Sequence, residues 1–212
     1  VDFKEAVKPY SNIPLTREVM LSILHGYKRP NDKISELLKN GDLIQVKKGL
    51  YIAGTKTDLI GPEPFLIANH LLGPSYVSLE SALSYWGIIP ERVYEISSIT
   101  MKLSKKYKTP IGRYSYRFMP SPYYSFGIKS IEVSPKQVVR IATPEKALCD
   151  KIATTTGLVL RSTIQTRNYL LDDLRIDLEQ LHKFDLKEIN SWIADAPKKE
   201  SLRMLVKTLA KL

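Results

Sequence analysis

A chain of 212 residues with 43% hydrophobic and 25% charged side chains has the composition of a globular domain protein, which excludes a disordered polymer. Its formal charge of +10 favours polyanionic partners and fast electrostatic association without specifying a fold. The single cysteine, Cys149, excludes an internal disulfide framework and a cysteine-rich zinc site, and no segment approaches the roughly 20 apolar residues that span a bilayer, so a cytoplasmic protein with no membrane partner is expected.

In chain order, Leu15 to Leu24 predicts an opening helix, with Leu15, Val19 and Ile23 close to one stripe. A second helix follows within a few residues in KISELLKNGDLIQVKKGLYIAG, Lys33 to Gly54, where Ile34, Leu37 and Leu38 fall at i, i+3 and i+4. Pro30, Asn31 and Asp32 supply its start, and Gly41 sits where a left-handed cap is wanted. The runs LIQV and LYIA, separated by Lys47, Lys48 and Gly49, predict a tight hairpin with glycine in the left-handed position. Two readings fit this segment: a winged helix-turn-helix whose helix enters the major groove while the hairpin follows the phosphates, or a helix packed on a hairpin for stability alone. The short spacing between the two helices implies that any middle helix is very short or missing.

Ala53 to Pro64, rich in Gly, Pro and small polar residues, reads as a linker and places a boundary near residue 57. Beyond it, PEPFLIANHLLG predicts a helix, and SYVSLESALSYWGIIP another, with Ser78 as N-cap and Leu79, Ala82, Leu83 and Trp86 at helical spacing. From Tyr94 to Ile141 the runs SSITMKL, YSYRFM, GIKSIEV and VVRIA, punctuated by Pro and Gly, predict a small antiparallel or mixed sheet. In TPEKALCDKIA, Thr143 as N-cap, Pro144 and Glu145 make a strong helix start. The remainder reads as several helices, with Asp185 and Glu188 at capping-box spacing and a last helix carrying Leu202, Leu205, Val206 and Leu209.

Signals for catalysis are weak. His25, His70 and His182 are scattered, and no phosphate-binding glycine loop, dinucleotide fingerprint or nucleophile elbow is present. Cys149 lies in an amphipathic helix as a small apolar residue would, and Asp172, Asp173, Asp177 and Glu179 read as a solvated face rather than a metal site. No catalytic residue, cofactor or metal is therefore expected. Signals for nucleic-acid binding are better: Lys47 and Lys48 at the hairpin tip, flanked by Lys28, Arg29, Lys33, Ser35 and Lys39. Ile96 to Ile131 holds seven Lys or Arg and no acid, and its Lys102, Lys105, Lys106, Lys108 and Arg113 are candidate auxiliary contacts, with the interleaved tyrosines as ordinary strand positions or stacking platforms.

Three stretches taken together, ISELLKNGDLIQVKKGLYIAG, SYVSLESALSYWGIIP and VVRIATPEKALCDKI, resemble the AbiEi family of antitoxins from bacterial abortive-infection (type IV) toxin-antitoxin systems. Gly41, Leu43, Gly49 and Tyr51 match the family's wing, Ser78, Ser81, Ala82, Leu83 and Gly87 its serine-alanine helix, and Ala142 to Asp150 its A-[ST]-P-E-K-A-L-x-D helix start. The resemblance covers roughly residues 15–157 and implies an α+β protein: a winged helix-turn-helix at 1–56 that represses the operon's own promoter, and an antitoxin domain at 57–212 with a small sheet and a helical C-terminus. It implies double-stranded promoter DNA with inverted repeats and a nucleotidyltransferase-like toxin as partners, and no enzymatic activity. A stand-alone winged-helix regulator without a toxin and a nucleic-acid-processing enzyme using the same basic surface are the alternatives.

Overall fold

The structure, a computed structural model, describes residues 2–212. It is a mixed α+β chain with ten α-helices and two sheets among the described residues.

The first part runs α1 (Phe3–Val7), β1 (Leu15–Thr16), α2 (Arg17–Ile23), α3 (Pro30–Asn40), β2 (Leu43–Lys47) and β3 (Leu50–Ala53), with an antiparallel sheet in the order β1-β3-β2. Thr16 caps α2 by accepting from the Val19 amide at 3.4 Å, and Asp2 caps α1 by accepting from the Lys4 amide at 3.1 Å. The helix expected to open the chain at Leu15 is thus the middle of three, preceded by α1, and its first two residues are a strand. Only five residues long, α1 has too few turns to display a helical period. The bounds of α3 are those the sequence indicates. Pro30 stands in its first turn, and Gly41 takes φ 80°, donating to the carbonyls of Leu37 and Leu38. Gly49 at the hairpin tip also takes φ 80°.

Phe3, Val7, Met20, Leu24, Ile34, Leu37, Leu43 and Tyr51 bury together under the helices. Successive residues of a strand face opposite ways, and β3 uses both faces: Tyr51 joins this small core, while Leu50 and Ile52, with Val46 of β2, join the core of the rest of the chain. The hairpin is therefore held between the helices of the first part and the second part, and the segment after it, expected as a linker, contains the buried Thr57, whose hydroxyl donates to the Gly54 carbonyl at 2.7 Å.

The second part comprises α4 (Pro64–Leu71), β4 (Ser75–Val77), α5 (Leu79–Tyr85), β5 (Glu95–Thr100), β6 (Lys105–Thr109), β7 (Gly112–Phe118), β8 (Ile128–Ser134), β9 (Gln137–Ala142) and α6 (Pro144–Thr154). Four further helices close it: α7 (Thr163–Asn168), α8 (Leu178–Leu181), α9 (Leu186–Trp192) and α10 (Lys199–Leu209). The sheet is mixed and six-stranded, in the order β6-β7-β5-β4-β9-β8, with β4–β9 and β5–β7 parallel. One face packs on α4, to which the Tyr116 hydroxyl donates at the Ala68 carbonyl (2.6 Å). The other packs on α5 and α6, reached by Ser97 Oγ donating to the Ser78 carbonyl (2.9 Å) and by Tyr76 donating to Asp150 (2.9 Å).

Helix caps account for part of this architecture. Thr143 Oγ1 accepts from the Lys146 amide at 3.2 Å, as the sequence predicts for α6. Asp185 accepts from the Lys187 and Glu188 amides at 2.8 and 3.2 Å, but its own amide donates to Glu145 at 3.0 Å, so only half of the expected capping box forms. Ser78 occupies the N-cap position of α5 without capping it; its hydroxyl donates to Asp150 Oδ2 at 2.8 Å.

That last bond belongs to a buried polar centre. Lys146 and Asp150, one turn apart on α6, are fully buried and lie 3.3 Å apart. Lys146 Nζ also donates to the Tyr123 carbonyl at 2.7 Å and sits 3.1 Å from the Tyr123 ring centroid. Burial holds the Lys146 ammonium below its usual range against the pull of Asp150, and pushes the Asp150 carboxyl up against Lys146, Ser78 and Tyr76. The Lys and Asp of PEKALCD thus tie α6 to β4, to α5 and to the turn before β8.

Candidate nucleic-acid interface

The outer side of α3 is set by its buried stripe, Ile34 and Leu37, which leaves Asp32, Ser35, Glu36 and Lys39 facing water. Lys28 and Arg29 are exposed on the turn before it, where Arg29 lies 3.7 Å from Asp32. Ser35 Oγ donates to the Asn31 carbonyl at 3.1 Å and keeps its lone pairs for an incoming donor. Arg17 on α2, which sequence pattern alone does not single out, donates to Asn31 Oδ1 at 3.1 Å and brings a further cation to the start of α3.

Lys33 is placed differently from its neighbours. It turns toward the flank of the helix, pairs with Glu36 at 2.7 Å and stands 5.4 Å from the Tyr27 ring centroid, lining a recess with Lys4, Asp42 and Lys56. The hydrogen bond to Glu36 pushes its ammonium up, only partly offset by desolvation. Its charge is already matched within α3.

The two hairpin lysines also divide. Lys48 is exposed at the tip, whereas Lys47 is half-buried and donates to the carbonyl of Leu71 at the end of α4. Desolvation pushes the Lys47 ammonium down, and the like charges of Lys102 and Lys105 add to that shift. Lys47 is bonded at Leu71, and the next residue, Leu72, lines a recess with Lys102 and Lys105, so Lys47, Lys102 and Lys105, separated by more than fifty residues of sequence, lie on one basic surface.

The remaining candidate contacts lie elsewhere. Along β6 side chains alternate, and the register sets Lys105 across from Tyr116 and Tyr107 across from Tyr114, on the α4 face of the sheet. Lys105 lies over the Tyr107 ring at 4.9 Å, and Tyr107 meets Tyr116 edge-on at 5.9 Å. Lys106 stands across from Ser115 and Lys108 across from Arg113, on the opposite face. The run of five cations read from the sequence is thus split in two by the strand period, which a count of charge along the chain does not reveal. Tyr114 and Tyr116 are core residues, 2% and 1% exposed, and supply no stacking platform.

Beside the joined surface Met101, Leu103 and Phe118 are exposed, and with Leu72 they line an apolar recess rimmed by Lys102 and Lys105. No helix among the described residues is long and apolar enough to cross a membrane. No group of three or more His, Cys, Asp or Glu side chains among the described residues is placed to hold a metal ion.

No family model matches the chain, and no curated protein matches it either. Among solved structures, the crystal structure of the RV2827C protein from Mycobacterium tuberculosis is similar over 97% of this chain and 75% of its own, with a TM-score of 0.62 at 15% sequence identity. That likeness is one of fold.

Proposed function

We propose that residues 1–56 are a winged helix-turn-helix that binds double-stranded DNA, and that the chain is an autorepressor and antitoxin of the AbiEi kind, without catalytic activity. The observation that carries the reading is the order helix–strand–helix–helix–strand–strand closed by a β1-β3-β2 sheet, with the exposed face of α3 and the hairpin tip both bearing cations. In such a unit the last helix reads base edges and the hairpin follows the backbone. Ser35 and Lys39 are the base-edge candidates, and Lys28, Arg29 and Lys48 the phosphate contacts. Lys102 and Lys105 extend the phosphate track from the wing onto the second part, and Lys47 positions the wing against α4 through Leu71.

The antitoxin role rests on the resemblance across residues 15–157 and assigns to the second part the countering of a nucleotidyltransferase-like toxin. The first test is an anisotropy titration with DNA from immediately upstream of the chain's own gene, beside a scrambled duplex, at two salt concentrations. The expected result is tight binding with clear preference for the upstream fragment. Equal, weak binding to both, abolished by salt, would remove the regulator reading. Co-expression with the adjacent toxin gene then tests rescue of growth.

A further inference from the structure

On the α5–α6 side of the large sheet, away from Lys47, Lys102 and Lys105, a cleft of about 560 Å³ opens between β5, β7, the start of α5, the segment from Glu91 to Glu95 and the end of α6. Much of its charge is paired within the protein: Lys151 with Glu80, and Glu91 with Arg175. Its β7 wall is different. Ser115 is only 7% exposed, lines the cleft, and its hydroxyl has no hydrogen-bond partner among the described residues. The oxygen itself is reachable from the cleft, so the hydroxyl is free to donate to or accept from a bound molecule.

The strand register surrounds this hydroxyl with cations. Lys106 lies directly across from Ser115 on β6, and Arg113 and Arg117 are two residues away on either side along β7, hence on the same face. Glu95 stands across from Arg113 in register and lines the cleft without an ion pair, and Lys106 and Arg117 have no acid partner among the described residues. The cleft also carries an aromatic ring: Tyr94 is 79% exposed, with the Arg92 guanidinium carbon over one of its faces at 5.6 Å from the ring centroid.

We propose that this cleft binds a mononucleotide, its phosphates held by Ser115 and Arg117 and its base stacked on Tyr94, with Lys106 adding positive charge from the neighbouring strand. A guanidinium and a hydroxyl on one face of β7 suit the oxygens of a phosphate chain, and an aromatic face accepts any base. The volume falls in the roughly 300–1,000 Å³ range of small-molecule sites. The site is distinct from the basic surface assigned to DNA, since strand alternation puts the two on opposite faces of one sheet.

The test uses the full chain and mant-ATP fluorescence, with displacement by ATP, GTP, inorganic tripolyphosphate and a single-stranded dodecanucleotide. Saturable mant-ATP binding is expected, displaced by both nucleoside triphosphates and more weakly by tripolyphosphate. Arg117→Ala should weaken it by about tenfold and Ser115→Ala by a few-fold. Tyr94→Ala should bring ATP down to the level of tripolyphosphate while leaving tripolyphosphate itself unchanged, a pattern that loss of fold cannot produce. Both Arg117 and Tyr94 are exposed, and thermal melts of the variants check that each folds. Absence of saturation at millimolar mant-ATP overturns the proposal. So does binding that Arg117→Ala and Tyr94→Ala leave unchanged, or displacement by the oligonucleotide alone, which would make the cleft part of a nucleic-acid track.

Discussion

Two lysine-bearing regions of this chain look alike in sequence and behave oppositely in the fold. KNGDLIQVKKG around the hairpin and TPEKALCDK at α6 each set lysines among apolar residues beside a turn or helix end. At the hairpin Lys48 is left in water; at α6 Lys146 has 0% exposure and is matched by Asp150 and the Tyr123 carbonyl. Exposed charge is available to a partner and contributes little to stability, whereas buried charge is committed to the architecture and is expensive to unpair. Removing charge from each region should therefore act on different observables.

The largest expected effect is at α6. Lys146→Met leaves Asp150 buried without its cation and should cost about 3–5 kcal/mol of unfolding free energy in a urea titration. Asp150→Asn, which keeps partners for Tyr76 and Ser78, should also destabilise, and the double variant Lys146→Met, Asp150→Leu should recover part of the loss. Lys48→Ala should move stability by less than about 0.5 kcal/mol. A Lys146→Met chain as stable as the wild type would erase the contrast.

The next effect concerns binding. Lys48→Ala with Lys102→Ala and Lys105→Ala should weaken DNA binding for every sequence and flatten the salt dependence by about 0.9 in log–log slope for each phosphate no longer neutralised. Lys47→Ala is expected to do less to the salt slope and more to stability, because its ammonium is bound to Leu71. Equal salt slopes for the Lys47 and Lys48 variants would show that the two lysines are not divided as the hairpin geometry divides them. Smaller still, Ser35→Ala or Lys39→Ala should reduce the preference for promoter over scrambled DNA by about 1 kcal/mol, leaving the nonspecific component in place.

These contrasts also show what a linear reading can reach. Helix bounds set by local chemistry are legible: Gly41 and Pro30 around α3, Thr143 and Pro144 at α6. Elements that complete barely one period are not, which is why α1, β1 and β4 escape the sequence pattern and α2 reads as the first helix of the chain. Strand positions of Tyr114 and Tyr116 follow from alternation, but the separation of Lys105 from Lys106 across two faces needs the register. Least legible are contacts between distant segments. Ser78 has a cap residue's sequence context, and only the approach of α6 explains why its hydroxyl turns to Asp150; likewise nothing local says that Lys47 meets Leu71, or that Ser115 lacks a partner.

The smallest signal comes from Cys149, whose reactivity reports on the buried centre. It lies between Lys146 and Asp150 on α6 and has 0% exposure, and burial, with Asp150 adding to it, pushes its thiol up to about 12. An ordinary cysteine is substantially ionised near pH 9, and the thiolate is the reactive form. Cys149 should stay protonated there, so labelling by a disulfide reagent must pass through opening of α6 rather than through titration in place. Raising the pH from 7 to 9 should then leave the native labelling rate far below that of the urea-unfolded chain. Lys146→Met should accelerate labelling in proportion to its measured loss of stability, provided reclosing outpaces reaction. Fast labelling of the wild type that follows a titration near pH 9 would mean that the centre admits water and that the pair is not sealed.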